Sequence, residues 1–190
     1  MAGRKTELPR YDFVEGKSGL GPVWTLRKDQ PILIEGLHAL NENLTAELPR
    51  RSKYRIFASA LTQLNLTNHT RIPTSDVRLL RRLIRGKKFR GYDASTTLKQ
   101  WKLVRIGEEK YIFPFQELAD TIFNSSLTYE LNVLRALARP LLEDVPVEDP
   151  NYPEAQRILE LLLCFLPVPA RVVPLNSILR EFIGGSSFDY

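Results

Sequence analysis

From Asp76 to Arg90 apolar and charged residues recur with helical period. Leu79, Leu80, Leu83 and Ile84 make an apolar side, and Arg78, Arg82 and Arg85 fall at i, i+4 and i+7 on another face, with Arg81 beside them. Thr74 or Ser75, after Pro73, is placed to cap the helix start by accepting from an orphan backbone N–H. Gly86 reads as its terminator, with Lys87, Lys88 and Arg90 carrying the charge onward.

The rest of the chain reads as strands alternating with helices. Short strands around Tyr11–Val14 and Val23–Leu26 predict a hairpin. The continuous apolar run Pro31–Gly36 reads as a parallel strand buried on both faces. That reading puts Glu35 at the strand's carboxyl end, where open α/β sheets bind ligands. A helix is expected from Leu37 to Leu48, a second strand at Tyr54–Ala60, and a short helix or irregular turn at Leu61–His69. Thr97, Trp101 and Arg105 share a stripe on a helix around Ser95–Val104, followed by Glu108, Glu109 and Lys110 as exposed charges. Ile112–Phe115 is an aromatic hinge, and Ala119–Phe123 a third strand. A helix over Leu127–Ala138 turns Leu131, Leu134 and Leu137 inward and closes at Pro140. An acidic, proline-rich stretch, Glu143–Pro153, precedes an amphipathic helix over Pro153–Leu166. A short helix, Asn176–Phe182, stops at Gly184-Gly185. This alternation predicts an α/β fold with a mostly parallel sheet flanked by helices.

Composition narrows the classes. With 190 residues and 43% apolar content, a real core is expected. The net charge of +5 is concentrated in the arginine run, which points to a phosphate ligand or nucleic acid more than to general solubility. Acidic segments around Glu108 and Glu143 argue against the broad basic face of a nucleic-acid-binding module. The single Cys164 excludes an internal disulfide and fits a reducing compartment. The start, MAGRKTELPR, has no apolar signal segment. The longest apolar run, Ile158–Val168, is broken by Glu160 and Pro167 and falls short of the roughly 20 residues of a membrane span. A cytoplasmic protein that does not span the membrane is expected.

Clustered guanidinium groups repel one another and are most easily tolerated where an anion visits, because the planar fork of Arg matches phosphate oxygens. The bland alternative is a solvated basic surface. No GxxxxGK[ST] occurs: Gly16-Lys17-Ser18 has its last three letters, but Tyr11 stands where the first glycine belongs. His38 and His69 lack ligand-spaced partners for a metal, and Ser59 and Ser125 lack an evident His/Asp constellation.

The ordered segments PRYDFVEGK, PILIEGLHALN, ASALTQLN, SDVRLLRRLIR, EEKYIFPFQELAD and NSILREFIGG resemble the uridine kinase/phosphoribulokinase family, over about Pro9 to Gly185. The resemblance implies a partial P-loop kinase fold over residues 1–145, with a helical carboxy-terminal extension, 146–190, packed on it. It implies ATP-dependent phosphotransfer to a hydroxyl of a nucleoside or sugar-like molecule, with ATP and Mg²⁺. By resemblance, Glu35 is the acid of a Walker-B-like strand that holds Mg²⁺ through water or orients the acceptor. Arg78, Arg81, Arg82 and Arg85 belong to a lid that touches ATP phosphates, and Tyr11 lies in the acceptor pocket. Two positions depart from the pattern. Gly16-Lys17 stands where uridine kinases commonly carry a His, and Arg85-Gly86 stands where the lid helix usually ends in Arg-Asp. The family's phosphate loop and catalytic Asp lie upstream of the YDF motif, so the chain alone is expected to be inactive, and to self-associate or need the segment that supplies them. A non-catalytic, nucleotide-binding regulatory remnant is the alternative.

Overall fold

The computed structural model describes residues 3–12 and 17–189. The chain divides into two compact units, Met1–Ala39 and Leu40–Tyr190.

The first unit holds a hairpin with other bounds than expected: β1 (Thr6–Asp12) pairs antiparallel with β2 (Lys17–Trp24), so that Tyr11 lies opposite Ser18 and Val23 opposite Glu7, and the two expected strands do not face each other. Phe13, Val14 and Gly16, part of the expected strand and of the GKS triplet, lie outside the described residues. The register slips between Glu7 and Pro9, and a Cβ at Gly21 would be driven into the Leu8 carbonyl oxygen, so the bulge requires glycine there.

The buried strand expected at Pro31–Gly36 is not formed. Residues 31–35 have no regular structure, and Ile32, Leu33 and Ile34 are exposed, Leu33 by 91%. Apolar side chains supply no backbone partners, and among the described residues no strand pairs with this run. The helix expected at Leu37–Leu48 shrinks to a turn and one 3₁₀ turn, Glu42–Thr45.

The second unit packs helices beside a small parallel sheet. β3 (Ile56–Ser59) precedes α1 (Thr74–Arg90), α2 (Ala94–Tyr111), α3 (Phe113–Gln116) and β4 (Thr121–Asn124). β3 and β4 pair in parallel, Ile56 opposite Thr121. Then come α4 (Glu130–Glu143), α5 (Tyr152–Leu163) and α6 (Arg180–Ile183). α1 packs on α2 and α4, and α4 packs on α5. Val77, Leu80 and Leu83 of α1 meet Leu98 of α2, Leu134 and Leu142 of α4, and Ile158 and Leu162 of α5 in one core. Leu179 and Phe182 from the carboxy-terminal segment join it.

Several local expectations change for packing reasons. α1 starts from Pro73 with no side-chain cap, and the Thr74 hydroxyl instead accepts from the Thr62 backbone N–H at 3.1 Å. Gly86 does not stop the helix. It is buried where α2 crosses, a Cβ there would sit 3.3 Å from Thr97 Oγ1, and the helix ends at Gly91 with φ 64°. Pro140 lies inside α4, because burial of Leu142 beyond it outweighs the lost hydrogen bond. Leu137 is 39% exposed and Ala138 takes the inward place, since Leu131, Leu134, Ala138 and Leu142 keep the 3.6 period that a strict spacing of three loses. Glu108 is buried rather than exposed; it lies seven residues after Trp101, on the inward stripe of α2.

Asp93 caps α2 by accepting from the Thr96 N–H at 2.7 Å, and its hydrogen bonds to Thr96 hold its carboxyl below the usual range. Its contribution is therefore present above the ordinary carboxylate pKa and is lost as pH falls through the depressed one. Asp93→Ala is expected to lower stability by about 1 kcal/mol at neutral pH, the difference shrinking in acid. Gly86→Leu is expected to cost about 1–3 kcal/mol by overpacking against Thr97 and Tyr92. Urea unfolding at pH 7 and pH 3 measures both.

Candidate functional site

The arginines of α1 fall into two classes. Arg81 points into the protein: Nε donates to Glu130 Oε2 at 2.7 Å and Nη2 to the Ser125 carbonyl at 2.8 Å. Glu130 is buried, and its other oxygen accepts from the Leu127 N–H at 3.0 Å. Arg78 lies 2.5 Å from Oε1 of buried Glu108, whose Oε2 faces Arg105 at 3.5 Å. Each of these two arginines thus meets a carboxylate that has left water.

Arg82 and Arg85 are placed differently. The charged group of Arg82 meets a neutral partner, Gln100 Oε1, at 3.4 Å. Arg85 is 45% exposed and pairs with Glu181 of α6, itself 31% exposed. Burial first, and the nearby Arg90 second, push the pKa of both guanidinium groups below the ordinary arginine value; Arg81 adds to this for Arg85. Both stay charged, since arginine titrates far above neutrality. Lys87, Lys88 and Arg90 lie exposed on the next turn. The carboxyl half of α1 is therefore a cationic surface whose charges repel one another.

At the amino end of α1 a crevice of about 380 Å³ opens past the carboxyl end of β3. Phe57, Ser59, Ser75, Arg78, Arg105 and Phe113 line it. It is open to solvent, and its position is where parallel strands present ligands.

A model of the phosphoribulokinase/uridine kinase family matches residues 1–132. The chain belongs to this family. It is also 28% identical over 121 residues to uridine kinase-like protein 3 of Arabidopsis thaliana, a match that covers 63% of this chain and 22% of that protein. The chain therefore spans less than a quarter of that relative's length. No solved structure matches it. The family match takes in β3, β4 and all of α1, and ends at Asn132, in the first turn of α4.

Among the residues expected from this family, Arg78, Arg81, Arg82 and Arg85 lie together on α1 in the second unit. Tyr11, on β1, and Glu35, exposed in the irregular stretch, belong to the first unit. Glu35 offers Mg²⁺ a single carboxylate, and no group of three or more His, Cys, Asp or Glu is poised for a metal among the described residues. One carboxylate with water and substrate phosphates is within the ordinary coordination of Mg²⁺, so the residue fits the ion in that limited sense. No helix among the described residues is long and apolar enough to cross a membrane.

Sequence reasoning missed Glu108, Glu130, Arg105, Gln100 and Glu181. Glu108 carried a usable signal, since Thr97, Trp101 and Glu108 share the buried stripe of α2. Glu130 and Glu181 carried none, because their partners lie 49 and 96 residues away in sequence.

The two classes are expected to separate on mutation. Glu130→Ala should cost about 3–5 kcal/mol by stranding the Arg81 charge. Glu181→Ala, at an exposed pair, should cost less than about 1 kcal/mol. Chemical denaturation of both variants under one condition measures the contrast.

Proposed function

We propose that this chain carries the phosphate-handling side of an ATP-dependent kinase acting on a hydroxyl of a nucleoside or sugar-like small molecule. The observation that carries the reading is the cationic carboxyl half of α1, where among the described residues no buried carboxylate lies at ion-pair distance from Arg82 or Arg85, within a chain of the phosphoribulokinase/uridine kinase family.

Arg82 and Arg85 bind the phosphates of ATP. Arg78 and Arg81, held by Glu108 and Glu130, fix the helix that presents them. Positioning and charge neutralisation are most of what phosphoryl transfer asks of a protein. The crevice at the carboxyl end of β3 is a site for the acceptor. Tyr11 as an acceptor contact and Glu35 as a water-mediated Mg²⁺ ligand rest on family resemblance. When bound, Mg²⁺ would be held through water by Glu35 and would supply neutralisation of the ATP phosphate charge.

These 190 residues contain no GxxxxGK[ST]. Without that loop's N–H cradle and lysine, ATP lacks its principal anchor. The chain alone binds ATP weakly and does not turn it over, and a segment bearing the loop completes the catalyst. The exposed apolar run Ile32–Ile34 is consistent with a need for such a partner or for self-association.

The test is ATP binding by calorimetry at low salt, with turnover measured against a nucleoside and sugar panel. Arg82→Ala and Arg85→Ala should each weaken ATP binding about tenfold or more, the usual scale of a charge-assisted contact. Unchanged affinity in both variants, or clear turnover by the unmodified chain, would overturn the reading.

A further inference from the structure

The carboxy-terminal segment lies beyond the family match, yet it reaches the carboxyl half of α1. It is a fixed structure there. The guanidinium of Arg180, buried, donates to the carbonyls of Ala170, Val173, Pro174 and Gly184. Leu179 and Phe182 are buried in the core. The ring of Phe182 lies beneath both Arg81 and Arg85, each guanidinium carbon 5.3 Å from its centroid. Gly184, at φ 89°, turns the chain beside Lys88, whose ammonium nitrogen lies 3.4 Å from where a Cβ would stand.

This scaffold brings one carboxylate, that of Glu181, onto Arg85. The contact differs from those of Glu108 and Glu130. Those acids are buried, and removing them strands a charge. Glu181 and Arg85 both remain in contact with solvent, and such pairs hold weakly. The terminal phosphate of ATP carries more charge than a carboxylate and offers three oxygens to the same guanidinium fork. Residues fixed by Arg180, Leu179 and Phe182 would stay in place while the carboxylate is exchanged.

We propose that Glu181 is an internal competitor for phosphate at Arg85: a carboxylate that the carboxy-terminal segment holds where an ATP phosphate would bind. The proposal rests on the reading of Arg85 as a phosphate contact. Its consequence is that the segment beyond the family match sets the threshold at which the nucleotide engages α1. A change that withdraws Glu181 raises phosphate affinity without altering any phosphate contact.

The experiment uses the full chain, with ATP and inorganic tripolyphosphate as probes, by calorimetry at low salt. Glu181→Gln removes the charge and keeps the shape; it should tighten binding of both probes about three- to tenfold. Glu181→Ala should act in the same direction, and thermal melting of both variants reports that the fold is kept. In an Arg85→Ala background the gain should vanish. If Arg85→Ala weakens binding but neither Glu181 variant tightens it, the competitor role is overturned while the phosphate-contact reading stands. If Arg85→Ala leaves binding unchanged, or no variant binds either probe, the phosphate-contact reading fails and the competitor role fails with it.

Discussion

The ion pair between Arg81 and Glu130 is the constraint on which the arrangement of the second unit depends. One guanidinium reaches from α1 to the Ser125 carbonyl just past β4 and to the carboxylate that opens α4. The same carboxylate turns back to the Leu127 N–H. A helix, a strand end and a second helix start are thus held together through one part-buried guanidinium and one buried carboxylate. Hydrophobic packing of Leu80, Leu83 and Leu134 brings α1 and α4 together, but it is not directional. The buried charges are, because each must find its partner or bear the cost of desolvation.

The arginines of the helix divide by the burial of their partners. Arg78 and Arg81 spend their charge on Glu108 and Glu130. Arg82 and Arg85, later along the helix, keep theirs near the surface, where Arg90, Lys87 and Lys88 add to the local field. A helix that bound all its arginines internally would offer phosphate nothing.

The family could be read from ordered motifs, and the match over residues 1–132 agrees for all of them but the tail segment Asn176–Gly185, which lies beyond it. Strands β3 and β4 and all the principal helices lie close to where the sequence pattern placed them, and the long helices do so because each buries a face whose spacing is written locally. The failures share one cause. Pro31–Gly36 has the composition of a buried strand but no strand beside it among the described residues. Gly86 and Pro140 have the local chemistry of helix stops, and packing across the fold carries the helices through them.

From its residues alone the chain settled that α1 is an amphipathic helix with one apolar side and a crowd of arginines, since a period of 3.6 is a property of neighbours in sequence. Which arginines are structural and which remain available was decided only in three dimensions. The deciding carboxylates, Glu108, Glu130 and Glu181, come from three other helices. Whether each is buried or wet depends on packing that no local pattern records, and that burial determines how firmly each holds its arginine.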